Sequence, residues 1–356
     1  MNGAHEAGAP REKPSGLYHT PTRSCNLPQV TDFKQFPRVQ RLTLPKTGSY
    51  TSVMTPQRVS LAVLATVAIA AASSSRVGAQ PMQRSMYVSV VNDAGVPVPN
   101  LGPTDFIVRE DNATREMLSV APADDPMQIA LLVDTSQPAR NVIQFMRQEL
   151  PGFVTTLTNP NESGAKNQVA LIAFGERPTI FAEYTTSPKD LQKGINRIWS
   201  QQGSGAYFLD AVYETAQAFK KREAMRPVIV ALVVEGGELS YRQYDQVIDA
   251  MRDASAPLYA VMFGTPSSSL ADEIRNRNIV LDRGVTLTGG NREQLLAPQA
   301  LGDRLKLLAN QLTHQYKITY ARPQSLIPPE KITVAAKQPG MVARGTPVKE
   351  RQQARP

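Results

Sequence analysis

Cysteine is almost missing from this sequence: of 356 residues, Cys25 alone carries a thiol. The region after residue 79 therefore can form no disulfide and no thiolate metal site. Histidine is nearly as scarce, with His5, His19 and His314. A zinc cluster or a nucleophile–histidine pair in the body would have His314 alone to draw on, which argues against both. No G-x-S-x-G, H-E-x-x-H or Walker-type pattern occurs. Gly203-Ser-Gly205 half-matches a phosphate-binding G-x-G-x-x-G, but Phe208 stands at the last position and no strand precedes it, so it reads as a loop before a helix. With no nucleophile–base pair in view, the sequence reads as non-enzymatic.

Charge is also absent where a nucleic-acid binder would need it. The formal charge is +8, but residues 1–53 hold 7 Lys+Arg against 3 Asp+Glu, and residues 54–79 add Arg58 and Arg76 with no acid. The remainder is nearly neutral and gives no support to a nucleic-acid partner.

What is present falls into zones. Residues 1–53 are polar, rich in Pro, Ser and Thr, and without sustained period, which predicts disorder. Met54-Thr-Pro-Gln-Arg58 then leads into the apolar run Val59–Ala72 and the small residues Val77-Gly78-Ala79. A basic flank, a short apolar core and a small-residue end are the pattern of a secretory signal peptide over 54–79. The run is short for a membrane span, which needs about 20 apolar residues. We expect translation to start at Met54, with 1–53 an upstream, untranslated stretch, no membrane span after cleavage, and a secreted or periplasmic product. An internal anchor helix is the alternative.

Residues 80–125 alternate at period 2: strands are predicted at 86–91, 105–110 and 116–120, with Asn92–Gly95 and Asp111-Asn112 as turns. From Met127 the rhythm becomes strand, helix, strand. Strands are predicted at 128–134, 167–174, 177–184, 227–234 and 257–263. Helices are predicted at 139–157, kinked or split at Pro151, and at 188–199, 207–221, 241–254, 270–287 and 299–312. Such alternation implies an α/β fold, a doubly wound and mostly parallel sheet covered on both faces. The strand at 177–184 follows its predecessor across Gly175-Glu176, so that edge strand should run antiparallel. Residues 314–345 alternate again and should pair with 80–125 into a small β domain, with the α/β domain (126–313) inserted between them. The tail from about Gly345, residues 346–356, is expected to fray.

The candidate site is built on Gln128–Pro138. The apolar run Ile129–Val133 ends at Asp134, as a buried parallel strand does when it delivers a carboxylate to its C-terminal edge, where open α/β sheets bind ligands. Asp134-x-Ser136 puts two oxygen side chains on one turn, ligands suited to a hard cation.

At this point the sequence resembles a von Willebrand factor type A domain over roughly 127–312. The resemblance rests on Asp134-Thr-Ser136, the loop Gly203–Ala211, and the strand Val228–Val234 ending in Glu235-Gly-Gly-Glu238. The flanks, Val88–Val98, Asp105–Asp111 and Gln315–Tyr320 with Ile332–Val342, look like a bacterial secreted subgroup with β segments on both sides of the domain. The resemblance implies a metal-ion-dependent adhesion site holding Mg²⁺ for a partner's carboxylate. Matched residue by residue, Asp134 and Ser136 stand at the first Asp and Ser. Pro138 replaces the second Ser, Ala206 falls at the Thr position with Ser204 two residues away, and Glu235 replaces the late Asp.

The expectation is a degenerate metal site at Asp134, Ser136 and Glu235, with Ser204 as a further oxygen, taking Mg²⁺ or Ca²⁺ weakly or nothing at all. Asp134 could instead cap backbone N–H groups on that edge. The functional expectation is an exported protein-binding module with Trp199 and Tyr207 as partner contacts; the alternative is a structural envelope component with a vestigial metal site. Glu235 and Glu238 are expected to be solvated loop carboxylates, Asp210 a structural residue near a helix start, Lys220–Arg222 a solvated helix end, and Tyr316 and Tyr320 sheet packing.

Overall fold

Pattern becomes architecture by way of burial. The computed structural model describes residues 82–159, 164–265, 271–323 and 327–349, all within the unit Arg76–Pro356. The expected upstream stretch and signal segment, 1–53 and 54–79, lie outside the described residues.

In chain order the first elements are strands β1 (Met82–Asn92), β2 (Phe106–Glu110), β3 (Ala113–Arg115) and β4 (Met117–Pro122). The α/β region follows with β5 (Gln128–Val133), α1 (Ile143–Thr158), β6 (Gln168–Ala173), β7 (Thr179–Thr185), α2 (Pro188–Ile195), α3 (Phe208–Lys221), β8 (Pro227–Val234), α4 (Tyr244–Ala254) and β9 (Leu258–Phe263). It continues through α5 (Asp272–Ile279), a π turn at Val280–Gly284, α6 (Val285–Thr288), β10 (Asn291–Leu295) and α7 (Leu301–Thr313). The chain then runs through β11 (Tyr316–Arg322), β12 (Ile332–Ala336) and β13 (Met341–Pro347).

The main sheet has six strands in the order β10-β9-β8-β5-β6-β7. All neighbours are parallel except β6 and β7. Side chains alternate across a strand, and β5 shows the result. Ile129, Leu131 and Val133 pack with Met146 and Leu150 of α1 and Leu305 and Leu312 of α7. Ala130 and Leu132 face the other way, toward Phe208 and Val212 of α3 and Val247 and Met251 of α4. A strand buried on both faces must be apolar at every position, which is why β5, β8 and β9 read as unbroken apolar runs.

The flanks pair as strands on one another. β1 lies antiparallel between β11 and β13, with β4 beyond β11, and β12-β2-β3 forms a second small sheet. Met86, Val88, Val90, Phe106, Val108, Ile318 and Tyr320 make their shared core. Glu110 is buried in this region, where it takes the Tyr320 hydroxyl (3.0 Å) and pairs with Arg115 (2.9 Å) and Arg322 (3.3 Å).

The structure departs from the expected elements at several places. α1 runs unbroken through Pro151. The stretch expected as one helix from 270 to 287 is instead α5, the π turn and α6 in succession. β10 is unpredicted: Asn291-Arg-Glu-Gln-Leu295 carries no apolar alternation because it is the sheet's edge, paired on one side to β9. β13 does not fray at Gly345 but runs to Pro347. The reason is a close approach: Gly289, at φ 84, leaves room where a Cβ would collide with the Gly345 carbonyl. Thr346 then donates to the Thr288 carbonyl at 2.7 Å.

Candidate functional site

β5 and β8 run parallel, so their C-terminal ends share one edge and bring Asp134 and Glu235 together. The loop before α3 joins the same edge. Ala206 N–H donates to the Gly237 carbonyl (3.0 Å), Leu239 N–H to the Ala206 carbonyl (2.8 Å), and Gln201 N–H to the Thr135 carbonyl (3.1 Å). Thr135 is buried and its Oγ1 accepts from Gly175 N–H at 3.0 Å. Gly175 must be glycine here, because a Cβ would sit 2.5 Å from that oxygen.

Asp134 is 0% exposed. Its Oδ1 accepts from Ser136 N–H at 2.9 Å and its Oδ2 from Val234 N–H at 3.0 Å. Burial pushes its pKa up, while bonds from the Ser136 side chain and backbone, the Val234 amide and the nearby charge of Arg277 pull it back. Ser136 is buried beside it, and its carbonyl accepts from Ser200 Oγ at 3.0 Å. Ser204 turns away: its hydroxyl donates to the Gln201 carbonyl at 2.8 Å. Pro138 packs its ring against Gly236, where a Cβ would come within 2.6 Å of Pro138 Cγ.

Glu235 is held by Arg277. One terminal nitrogen of the guanidinium lies 2.8 and 2.9 Å from the two carboxylate oxygens, and the other donates to the Gly236 carbonyl at 2.8 Å. The Arg277 side chain is 0% exposed, against 17% for Glu235. α5 brings the arginine in, and Asn276 on the same helix ties α5 to Gln243, the residue preceding α4 (3.1 Å). Among the described residues, no group of three or more His, Cys, Asp and Glu side chains could hold a metal ion.

The set fits a hard divalent cation poorly. Mg²⁺ needs near-octahedral oxygen ligands, and these oxygens are committed elsewhere. Both Asp134 oxygens hold backbone N–H groups, both Glu235 oxygens face Arg277, Ser204 is turned aside and Pro138 offers none. A guanidinium beside the carboxylates would also repel a second cation. The expected metal role therefore meets a physical objection at Asp134 and at Glu235.

Glu238 corrects the expectation of a solvated loop carboxylate. It is 4% exposed, and its Oε1 accepts from Leu209 N–H (3.4 Å) at the start of α3 and from Ser240 N–H (3.3 Å). Its Oε2 has no hydrogen-bond partner among the described residues. Burial pushes its pKa up to about 7, against the pull of those bonds and of Arg277. Ser240 Oγ receives the next helical amide, Asp210 N–H, at 3.0 Å. The loop after β8 thus closes the N-terminus of α3, where orphan amides and the helix dipole favour oxygen acceptors. Asp210 lies 3.5 Å from Arg242, and Lys220 pairs with Asp253 at 2.8 Å.

Of the two expected partner contacts, Trp199 is 59% exposed. It lies beyond α2, which ends at Ile195 rather than 199. Tyr207 is half-buried at the start of α3, its amide bonded to the Phe174 carbonyl at 2.8 Å. Three exposed apolar side chains on the same edge went unnoticed: Leu239 and Tyr241 in the loop after β8, and Leu296 after β10, at 46%, 89% and 78%. An apolar side chain in a polar loop was the available signal.

Arg277 was also missed, though a trace of it is in the sequence. Val280 and Leu281 follow at i+3 and i+4, so the arginine lies on the apolar face of its helix. An arginine there must find a carboxylate or carbonyl, because an unpaired buried charge is prohibitive.

The family comparison agrees with this reading of the fold. Residues 128–279 match the model of the von Willebrand factor type A domain. The search of curated proteins finds no match. Among solved structures, a von Willebrand factor type A protein from Catenulispora acidiphila aligns at 11% identity over 77% of this chain and 73% of its own, with a TM-score of 0.42. Proximal thread matrix protein 1 from mussel byssus aligns at 12% identity over 54% of this chain, with a TM-score of 0.41. The human COPII-coat protein Sec24c aligns at 11% identity over 63% of this chain, also at 0.41. This chain spans 50% of the byssus protein and 43% of Sec24c. Residues 128–279, which hold Asp134, Glu235 and Arg277, thus match a von Willebrand factor type A domain, a class of domain that commonly mediates protein interactions and is generally non-enzymatic.

Proposed function

We propose that this protein is an exported, non-enzymatic binding module that presents the C-terminal edge of its main sheet to a protein partner without needing a metal ion. The observation that carries the reading is the set of exposed apolar side chains on that edge. Trp199, Leu239, Tyr241 and Leu296 stand on three loops around a buried cluster in which Arg277 holds Glu235. Exposed aromatics of this kind are the usual anchors of protein interfaces. The committed oxygens of Asp134 and Glu235 support recognition by loop shape rather than through a bridging cation.

Capture from cell-envelope extracts tests this, with and without EDTA. A single captured partner should persist in EDTA and be lost with Trp199→Ala and Tyr241→Ala. Capture that depends on the divalent ion, or that survives both substitutions, would sink the reading. Export rests on the pattern at 54–79. N-terminal sequencing of the mature protein should find a start just after Ala79; a mature chain that keeps residues 1–53 overturns that part.

A further inference from the structure

We propose that Arg277 is the resident cation of the sheet edge: its guanidinium supplies the positive charge that would otherwise call for a divalent metal ion. Three observations converge on this. Arg277 reaches the edge from a different element, α5, and its side chain has no exposed surface there. It takes both oxygens of Glu235 and the Gly236 carbonyl, acceptors that belong to the turn directly after β8. It also lies close enough to Asp134 and Glu238 for its charge to act on both carboxyls.

A buried carboxylate group needs a counter-charge, and the geometry provides a covalently tethered one. Asn278 Oδ1 accepts from the Arg277 Nε (3.4 Å) and from a terminal nitrogen (3.3 Å), so the planar fork is fixed from a second side. A tethered guanidinium cannot dissociate into chelator, nor can it offer an open coordination position to a partner's carboxylate. At Glu235 the charge is therefore satisfied permanently, and divalent ions are excluded there by repulsion and by occupied oxygens.

The inference concerns ion binding and stability in the full chain, and it stands apart from whether any partner is found. The experiment compares wild type, Arg277→Met and Arg277→Lys by thermal unfolding and by calorimetric titration with Mg²⁺ and Ca²⁺. Wild type should melt at the same temperature in EDTA and in millimolar divalent ion, with no binding heat. Arg277→Met should melt roughly 5 °C lower or more, because it leaves carboxylates without their counter-charge. Divalent ion should restore part of that loss, and adding Glu235→Gln should abolish the restoration. Arg277→Lys keeps the charge, so it should stay insensitive to the ion. If Arg277→Met does not fold in EDTA, recovery of folded protein in Ca²⁺ or Mg²⁺ becomes the supporting result. Four results would overturn the proposal: ion binding by wild type that Asp134→Asn removes, an undiminished melting temperature in Arg277→Met, no ion response in that variant, or an equal ion response in Arg277→Lys.

Discussion

Each end of the main sheet holds a buried arginine, and the two are used in different ways. Arg226, 4% exposed, stands just before β8 at the end where the flanking strands attach. One terminal nitrogen donates to the Ala123 and Asp125 carbonyls (2.9 and 2.7 Å), and the other to the Leu312 carbonyl and Gln315 Oε1 (3.4 and 2.7 Å). Its face lies over the Tyr87 ring at 4.6 Å. Those partners belong to β1, the β4–β5 link, and the end of α7 with the residue before β11. Arg277, at the other end, binds one carboxylate and one carbonyl on a single turn. The first arginine is a clasp between chain segments; the second is a counter-ion. A guanidinium serves both uses because its five donors are planar and permanently charged.

The comparison predicts unequal costs. Arg226→Ala should be the most damaging change, about 3–5 kcal/mol, because it strips the partner from several buried acceptors at once. Urea unfolding would read this as a lower midpoint, and a transition that splits in two would show the flanking strands releasing before the α/β region. Arg226→Lys should recover less than half of the loss, since one ammonium cannot reach acceptors on both sides of the clasp. A cost below about 1 kcal/mol would mean Arg226 is filling space rather than joining segments. Arg277→Met should rank second, because Glu235 retains some contact with water.

This asymmetry also explains what could be read in advance. The apolar runs of β5, β8 and β9 announced the sheet, because strands covered on both faces have no polar positions to blur the signal. Asp134 at the end of such a run announced the edge. β10 gave no such signal, since an edge strand built from Asn291, Arg292, Glu293 and Gln294 is held by backbone pairing to β9 and by Leu295 alone of its side chains in the core. The candidate site was half legible. Spacing placed Asp134 and Ser136 on one turn and the family resemblance added Glu235, but the residue that decides their chemistry comes from α5, 42 positions beyond Glu235. Local spacing cannot show a partner that arrives through tertiary packing. Glu238 was misjudged for the same reason: whether a loop glutamate is solvated depends on whether a helix start, here Leu209 N–H, comes to meet it.

Glu238 gives the next prediction, which separates the two ends by pH. Its folded pKa, about 7, lies above its ordinary 4.5. Between those values the unfolded chain has lost the proton that the folded chain keeps, so stability should fall as pH rises from about 4.5 to 7 and then level off. The full drop is on the order of 3 kcal/mol, an upper figure because local opening would admit water. Glu238→Gln removes the titration while keeping the carbonyl acceptor for Leu209 N–H and Ser240 N–H. Melting temperatures across pH 5–8 should therefore slope downward in wild type and flatten in the variant, with the variant the more stable at the alkaline end. Equal slopes would show that Glu238 is ionised throughout and that Arg277 holds it so.

The smallest effect on stability should come from the residues with the largest expected effect on binding. Trp199 and Tyr241 are 59% and 89% exposed, so truncating either removes little buried area. Trp199→Ala and Tyr241→Ala should each change unfolding free energy by no more than about 0.5 kcal/mol, as surface substitutions usually do. Leu239 lies closer to the fold, because Gly205 has no Cβ where one would sit 2.7 Å from the leucine side chain. Leu239→Ala should therefore cost more than either aromatic change, roughly 1 kcal/mol, by leaving a gap over Gly205. Denaturant midpoints rank the three. If Trp199→Ala proved as costly as Leu239→Ala, the indole would be a cover for the fold rather than an unused contact. The edge would then have one fewer anchor to offer, and the functional contrast between the sheet's two ends would narrow to the arginines alone.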